Sequence, residues 1–329
     1  MTHFEMNLQA AHLIRDSVEA FEGIHDKPII FEHALADLAM MTDEHLAMII
    51  ERAAAAGPMS YNLSTVDIDE EGREHWVQGL LSEDGKVDGH AVLDLIKAGK
   101  LWLQVENLYY LAPHLYGLLK RAYDELAERL PNFSYRNLYC NLLISGPEAR
   151  VTPHIDVAEV ILFHIRGHKR MTLWDPERYP VPDELSEAII LRETLEDIEI
   201  PEEWKSGGDS YELAPGQGVS FPYLWPHSVD NLGDLNVSLQ TEYHHPATIR
   251  RYGALYANGL LRRRLGVEPK DTGPGVLGES LRAAAGLAAK KLHIDGGNRR
   301  QVLAAFVVDK DAPDFIRRLP PEHAPVLRK

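Results

Sequence analysis

Apolar positions recur along this chain with two spacings, and the change falls near Phe133. Upstream of it the helical spacing dominates. Leu8, Ala11, Leu13, Ile14, Val18 and Phe21 form an apolar stripe that predicts a helix over residues 5–22. Lys27-Pro28-Ile29-Ile30-Phe31 predicts a short strand, with proline at its start, where a missing N–H is tolerated. Thr42 is placed to cap a second helix, which Leu46, Ile49, Ile50 and Ala53 continue and Gly57-Pro58 stops. Leu101 to Val105 is strand-like. Leu115, Leu118, Leu119, Ala122, Tyr123 and Leu126 share one side of a helix predicted over Pro113–Arg129, and Pro131-Asn132 ends it.

From Phe133 onward the apolar residues gather into short runs separated by Gly, Pro, Asn and Asp: FSYRNLYCNLLIS, AEVILFHI, KRMTLW, GVSFP and NVSLQTEY. This is the pattern of an antiparallel barrel or sandwich. A stretch rich in Glu and Pro, about Pro176–Asp209, interrupts it and predicts a long loop with short helical pieces, of the kind that covers sites. After His245-Pro246 helical spacing returns over Ile249–Leu265, Leu277–Leu292 and about Arg299–Val307, and the last residues read as extended or disordered. Three segments follow: 1–100, helical and mixed, packing on the core; 101–245, a β-rich core; and 246–329, a helical segment.

Composition narrows the function classes. The net charge of −16 argues against a general binder of nucleic acid or of anionic membranes, which needs a basic face, and leaves room for a local basic patch. No uncharged apolar run reaches the ~20 residues of a membrane helix, and the first thirty residues lack the features of a signal peptide. The single cysteine, Cys140, forbids an intrachain disulfide and fits a cytoplasmic protein. Asp67 to Gly72 resembles the opening of a calcium loop, but Gln78 stands where the closing Glu belongs, so an acidic turn is expected. Arg262-Arg263-Arg264 reads as a solvated or acid-pairing helix end.

The candidate chemistry lies in VTPHIDVAEVILFHIRGHKRMTLW, residues 151–174. His154 and Asp156 share a strand parity and can reach one ion from the same face, and His227 offers a distant third ligand. Two histidines and one carboxylate on one side of a metal suit Fe(II) and leave positions open for substrates. Continued regular parity would carry Val160, Leu162 and His164 inward, and Arg166-Gly167-His168 reads as a tight hairpin turn. Lys169, Met171 and Leu173 share a face of the next strand; parity leaves Lys169 equally open to face solvent at a strand edge or to point into the barrel, where an apolar interior calls for an anion. Glu242 and Glu159 are placed near the proposed mouth, where they would favour a cationic substrate.

Together, Thr152-Pro153-His154-Ile155-Asp156, Gly167-His168-Lys169-Arg170, Pro215-Gly216-Gln217 through His227, and Gln240 in SLQTEY resemble the JmjC-type branch of the cupin-fold Fe(II)- and 2-oxoglutarate-dependent oxygenases. The hydroxylases typified by the asparaginyl hydroxylase of hypoxia-inducible factor are the nearest in pattern. The match spans about Leu101–Tyr243 and departs at Gln217 (usually Asp), at Trp102 (usually Tyr) and by one residue fewer between Thr152 and His154. The resemblance implies an α+β fold with a double-stranded β-helix (jelly-roll) core, N-terminal α/β elements and a C-terminal helical segment. It implies Fe(II) at His154, Asp156 and His227, and 2-oxoglutarate at Lys169 and Thr152, with Trp102 in the place of the tyrosine. Gln240, Gln104 and Glu242 become candidates for contact around the iron or with substrate. The implied reaction consumes O2 and 2-oxoglutarate, releases succinate and CO2, and hydroxylates a protein or peptide side chain or a small molecule. Paired C-terminal helices make dimers in relatives, which implies a homodimer. Two other readings stay open: a non-redox metal cupin acting as isomerase or lyase, and a catalytically silent cupin that only binds.

Overall fold

A computed structural model describes residues 12–38, 41–68, 72, 74–99, 101–269, 276–294, 301–312, 315–320 and 324–328. In chain order the first elements are β1 (Ile29–Glu32), α1 (Asp43–Ala56), β2 (Tyr61–Ile68), β3 (Glu74–Leu80), α2 (Gly89–Ala98), β4 (Trp102–Val105), α3 (Leu108–Leu111) and α4 (Pro113–Arg129). Then come β5 (Arg136–Ser145), β6 (Arg150–His154), β7 (Glu159–Arg166), β8 (Lys169–Leu173), α5 (Asp183–Ile190), β9 (Asp209–Leu213), β10 (Gln217–Phe221), β11 (His227–Asn231) and β12 (Asn236–His244). The chain closes with α6 (Pro246–Leu260), α7 (Val276–Lys291), β13 (Val302–Leu303), β14 (Phe306–Val308), β15 (Ile316–Arg318) and β16 (Val326–Arg328).

Two sheets face each other. The larger has ten strands in the order β1-β10-β7-β12-β5-β4-β2-β3-β14-β15, and the smaller runs β6-β11-β8-β9. Between them pack Leu143, Val160 and Leu162 from the large sheet and Met171, Leu173 and Leu213 from the small one. The opposite face of the large sheet carries the main core, where Leu46, Ile49 and Ile50 of α1 and Leu115, Leu119 and Tyr123 of α4 pack on Leu103, Leu142 and Leu239. This is the expected jelly-roll with α+β additions. A strand with one polar and one apolar face must bury the latter, and β5 buries both over residues 140–145.

The predicted helix Pro113–Arg129 forms over those residues, and the Thr42 hydroxyl accepts from His45 N–H at the start of α1. Three expectations are overturned. Residues 5–11 of the predicted N-terminal helix lie outside the described residues, and beyond them only one 3-10 turn forms, at Val18–Phe21. The backbone there is engaged elsewhere: Ile14 bridges to His33, and Arg129 donates to the carbonyls of Ile14 (3.0 Å) and Asp16. About Arg299–Val307 is not helical where described; it forms β13 and β14, because Ala304, Phe306 and Val307 are all buried against the β3 edge. The Arg166–His168 turn is not a hairpin, since β7 pairs with β10 and β12 whereas β8 pairs with β11 and β9. It carries the chain from one sheet to the other, and Gly167 (φ +79°) passes so close to Leu235 that a Cβ would lie 2.5 Å from its carbonyl oxygen. The acidic turn expected at Asp67–Gly72 falls mostly outside the described residues.

Candidate active site

Register builds the centre. β11 runs antiparallel to β6 with His227 opposite His154, which sets the two imidazoles side by side with centroids 4.0 Å apart. Asp156 lies two residues past His154, just beyond the end of β6, and buried Ile155 anchors the link between them. The Nε2 atoms of His154 and His227 lie 3.8 and 3.5 Å from the Asp156 carboxylate oxygens, and one ligand atom from each residue falls within 4.8 Å of the others.

Hydrogen bonds fix the tautomers. His154 Nδ1 lies 3.0 Å from the Thr152 carbonyl, and His227 Nδ1 lies 2.9 Å from the Trp225 carbonyl. A carbonyl only accepts, so each Nδ1 carries the proton and each Nε2 presents a lone pair to the shared space. Burial lowers both histidine pKa values, His227 well below the usual range, and keeps the rings neutral. Burial also pushes the Asp156 carboxyl up to about 7. Its Oδ2 is buried with no hydrogen-bond partner. Two neutral imidazoles and an orphaned carboxylate fit a divalent cation, which would satisfy all three at once.

The centre opens into a cavity of about 370 Å³. Leu143, Val160, Leu162, Met171, Phe221 and Val229 make its apolar part, and Lys169 lies among them. Lys169 is 4 % exposed, and among the described residues no carboxylate lies within ion-pair distance of its ammonium. Burial pulls its pKa down to about 7. Such a site stabilises an incoming anion strongly, because little solvent screens the pair.

The opposite wall is polar. Strand parity turns Gln104, Asn141, Gln240 and Glu242 to the cavity, and Asn141 Nδ2 donates to Glu242 (3.2 Å). Trp102, Gln104, Gln240, Glu242 and Lys169 therefore share one cavity with the triad. Thr152 does not reach it, and its hydroxyl donates to Asp197 instead (3.1 Å). His164 keeps the register of Val160 and Leu162 but does not line the cavity: it is fully buried between Ser238 Oγ (3.0 Å) and the Gly167 carbonyl (2.9 Å), which engage both ring nitrogens. Glu159 is not at the mouth; it is buried on the far side of β7, beside His25.

Sequence reading missed Trp76, Asn62 and Glu196, which also line the cavity. Trp76 stacks on Trp102 (5.8 Å) and tilts over His154 (5.4 Å). The alternation in YNLSTVDI and HWVQGL carried a strand signal, but the acidic stretch between the two runs drew the reading toward a turn. Glu196 sits in the insertion, where no periodicity could have placed it.

Set beside known proteins, the chain matches a sequence model of the cupin-like domain over residues 26–249. It belongs to the cupin-like domain family, and the two facing sheets around the histidine–aspartate centre are that family's architecture in this chain. Among solved structures it is similar to Escherichia coli YcfD, at 17 % identity over 85 % of this chain and 68 % of that one, with a TM-score of 0.47. It is also similar to YcfD described as a ribosomal oxygenase in complex with cobalt and 2-oxoglutarate (16 % identity, 89 % of this chain, 67 % of that one, TM-score 0.42). The same protein with cobalt and succinic acid gives 16 % identity over 89 % and 67 % of the two chains, with a TM-score of 0.40. No curated protein matches in sequence. Among the described residues no helix is long and apolar enough to cross a membrane.

Proposed function

We propose that this chain is an Fe(II)- and 2-oxoglutarate-dependent oxygenase that hydroxylates a side chain of a protein or peptide. The observation that carries the reading is the pairing, in one cavity, of an unsatisfied metal-ligand triad with a buried lysine that has no ion-pair partner among the described residues. His154, Asp156 and His227 would hold the iron, which when bound supplies the O2 chemistry that amino-acid side chains lack. The Thr152 and Trp225 carbonyls keep the imidazoles in the tautomer that offers Nε2. Lys169 would bind the distal carboxylate of 2-oxoglutarate, and the dicarboxylate would restore the ammonium that burial disfavours. Leu143, Met171, Phe221 and Val229 exclude water around that pair. Asp156 occupies the position a halide would need, which favours hydroxylation. Among the described residues three donors converge rather than four, and both ring nitrogens of His164 are engaged by Ser238 and the Gly167 carbonyl, which weighs against a non-redox cupin with a fourth histidine.

The rim supports a macromolecular substrate. Tyr109, Tyr110 and Tyr139 are more than half exposed, and Tyr109 packs edge-on against Tyr110 (4.8 Å) and Tyr116 (5.1 Å). Tyr139, Glu106 and Asn107 reach the cavity itself. Exposed tyrosines beside a polar pocket are the composition of a contact surface for another chain. The test is anaerobic titration with Fe(II) and 2-oxoglutarate, followed by admission of air. A visible charge-transfer band and subsequent succinate, both absent in Lys169→Ala and His227→Ala, are expected. Tight metal binding with neither band nor succinate would sink the reading.

A further inference from the structure

The strand that leads to two of the three ligands lies at a sheet edge. β6 pairs with β11 on one side and has no strand of its sheet on the other. An open edge of this kind is locally weak, because half of its backbone groups lack a ladder. Here the insertion between β8 and β9 covers it. Ile155 N–H donates to the Glu196 carbonyl (3.2 Å), Ile198 N–H donates to the Pro153 carbonyl (2.9 Å), and His154 faces Asp197 across an antiparallel bridge. The Thr152 hydroxyl donates to the Asp197 carboxylate (3.1 Å), and Thr152 is the residue whose carbonyl orients His154. Residues 196–198 thus act as a short additional strand beside the metal ligands.

That strand is held from outside. Glu187 of α5 is fully buried and pairs with Arg262 (3.1 Å) and Arg263 (3.4 Å). Arg263 also reaches Glu193, Arg262 reaches Glu184 (3.1 Å), and Arg251 of α6 pairs with Asp183 (2.6 Å). Arg262 and Arg263 stand on a π-helical turn, Leu261–Leu265, that continues α6. Turns of that kind are rare and occur often at functional sites. Beneath the ion pairs, Ile190 and Leu191 of the insertion pack on Leu255 and Tyr256 of α6, together with Val157 and Leu224. Val157 follows Asp156, and Leu224, held at φ +61°, lies three residues before His227. One packed pad therefore supports the chain next to Asp156 and near His227, while the covering strand supports His154.

We infer that Arg262 and Arg263 are positioning residues for the metal centre. By holding Glu187 and Glu193 they keep residues 196–198 against β6, and so keep His154 and Asp156 converged although neither arginine touches them. The inference rests on the proposed metal site for its effect on metal but not for its effect on the strand.

The test compares Arg262→Gln/Arg263→Gln with Arg263→Lys and with Arg317→Gln, which removes a distant exposed pair with Glu83. Amide hydrogen exchange is measured on the metal-free protein, and Co(II) affinity by titration. The double variant is expected to exchange faster at Ile155 and Ile198 specifically, and to bind Co(II) roughly tenfold or more weakly. Arg263→Lys should recover part of both effects, and Arg317→Gln should show neither. Exchange at Ile155 and Ile198 like that of the parent would overturn the inference, as would exchange raised evenly across both sheets. Co(II) affinity within about twofold of the parent, in variants that do exchange faster there, would also overturn it. If the parent itself binds no Co(II), the proposed function fails and exchange alone decides the positioning role.

Discussion

Asp156 and Glu159 stand three residues apart, and both are carboxylates taken largely or wholly out of water, yet their surroundings are opposite. Glu159 Oε1 meets His25 Nδ1 at 2.7 Å, and Oε2 accepts from His245 N–H (3.0 Å) and the Thr248 hydroxyl (2.8 Å). Both of its oxygens are used, and the groups come from two separate parts of the chain. Asp156 keeps a buried oxygen with no partner, facing two Nε2 lone pairs. A satisfied buried charge ties segments together, whereas an orphaned one carries a desolvation cost that only an absent ligand can offset. Lys169 belongs with Asp156 in this respect.

The largest effect expected from that contrast is at the orphan. Asp156→Ala or His227→Ala should abolish Fe(II) binding and succinate formation. In the metal-free protein, Asp156→Ala should leave stability unchanged or raise it by about 1–3 kcal/mol, measured by urea unfolding. Glu159→Ala should do the reverse, lowering unfolding free energy by about 3 kcal/mol or more while metal affinity holds. If Glu159→Ala leaves stability intact, the contrast fails.

A smaller effect is expected at the lysine. Lys169→Met should weaken 2-oxoglutarate binding by roughly 30-fold or more, as loss of one partner of a buried charge pair does, without loss of Fe(II). Calorimetry in anaerobic buffer would measure both. The pH dependence is the finest test. Burial pulls the Lys169 ammonium down to about 7, and the dicarboxylate needs the ammonium form. Affinity should therefore fall as pH rises above about 7, by up to roughly tenfold per unit, and Lys169→Met should lose that slope. Stability carries the opposite sign: between about 7 and the unfolded lysine value of ~10.4 the unfolded chain holds more protons, so this group makes the protein more stable as pH rises.

What the sequence disclosed was local. Pro113–Arg129 has its stripe and its stop in one contiguous stretch, and His-x-Asp lies within three residues, so periodicity and spacing could find them. Parity set Lys169 on one face with Met171 and Leu173 but left inward and outward equally open, and the buried alternation of the strand decides it. Partnership between distant strands could not be read. Nothing in Arg166-Gly167-His168 says that the next strand joins the other sheet, and nothing in the Glu/Pro-rich insertion says that Asp197 will face His154. His164 shows the limit of parity: it keeps the register of Val160 and Leu162, yet Ser238 and the Gly167 carbonyl engage its ring, so an expected cavity residue is a buried structural one. The Phe306–Val308 run failed as a helix because its partner, β3, lies more than 220 residues upstream.

That parallel pairing of β14 with β3 sets an order of events during synthesis. The ring of Phe306 covers Gly79 so closely that a Cβ there would lie 2.4 Å from it. Until residue 306 has been made, the β3 edge stands uncovered, with a glycine gap where the aromatic ring belongs, long after its other neighbour β2 is available. An open strand edge is a template for the wrong chain as readily as for the right one. The growing polypeptide carries that hazard from β3 until Phe306–Val308 has been made and closes it.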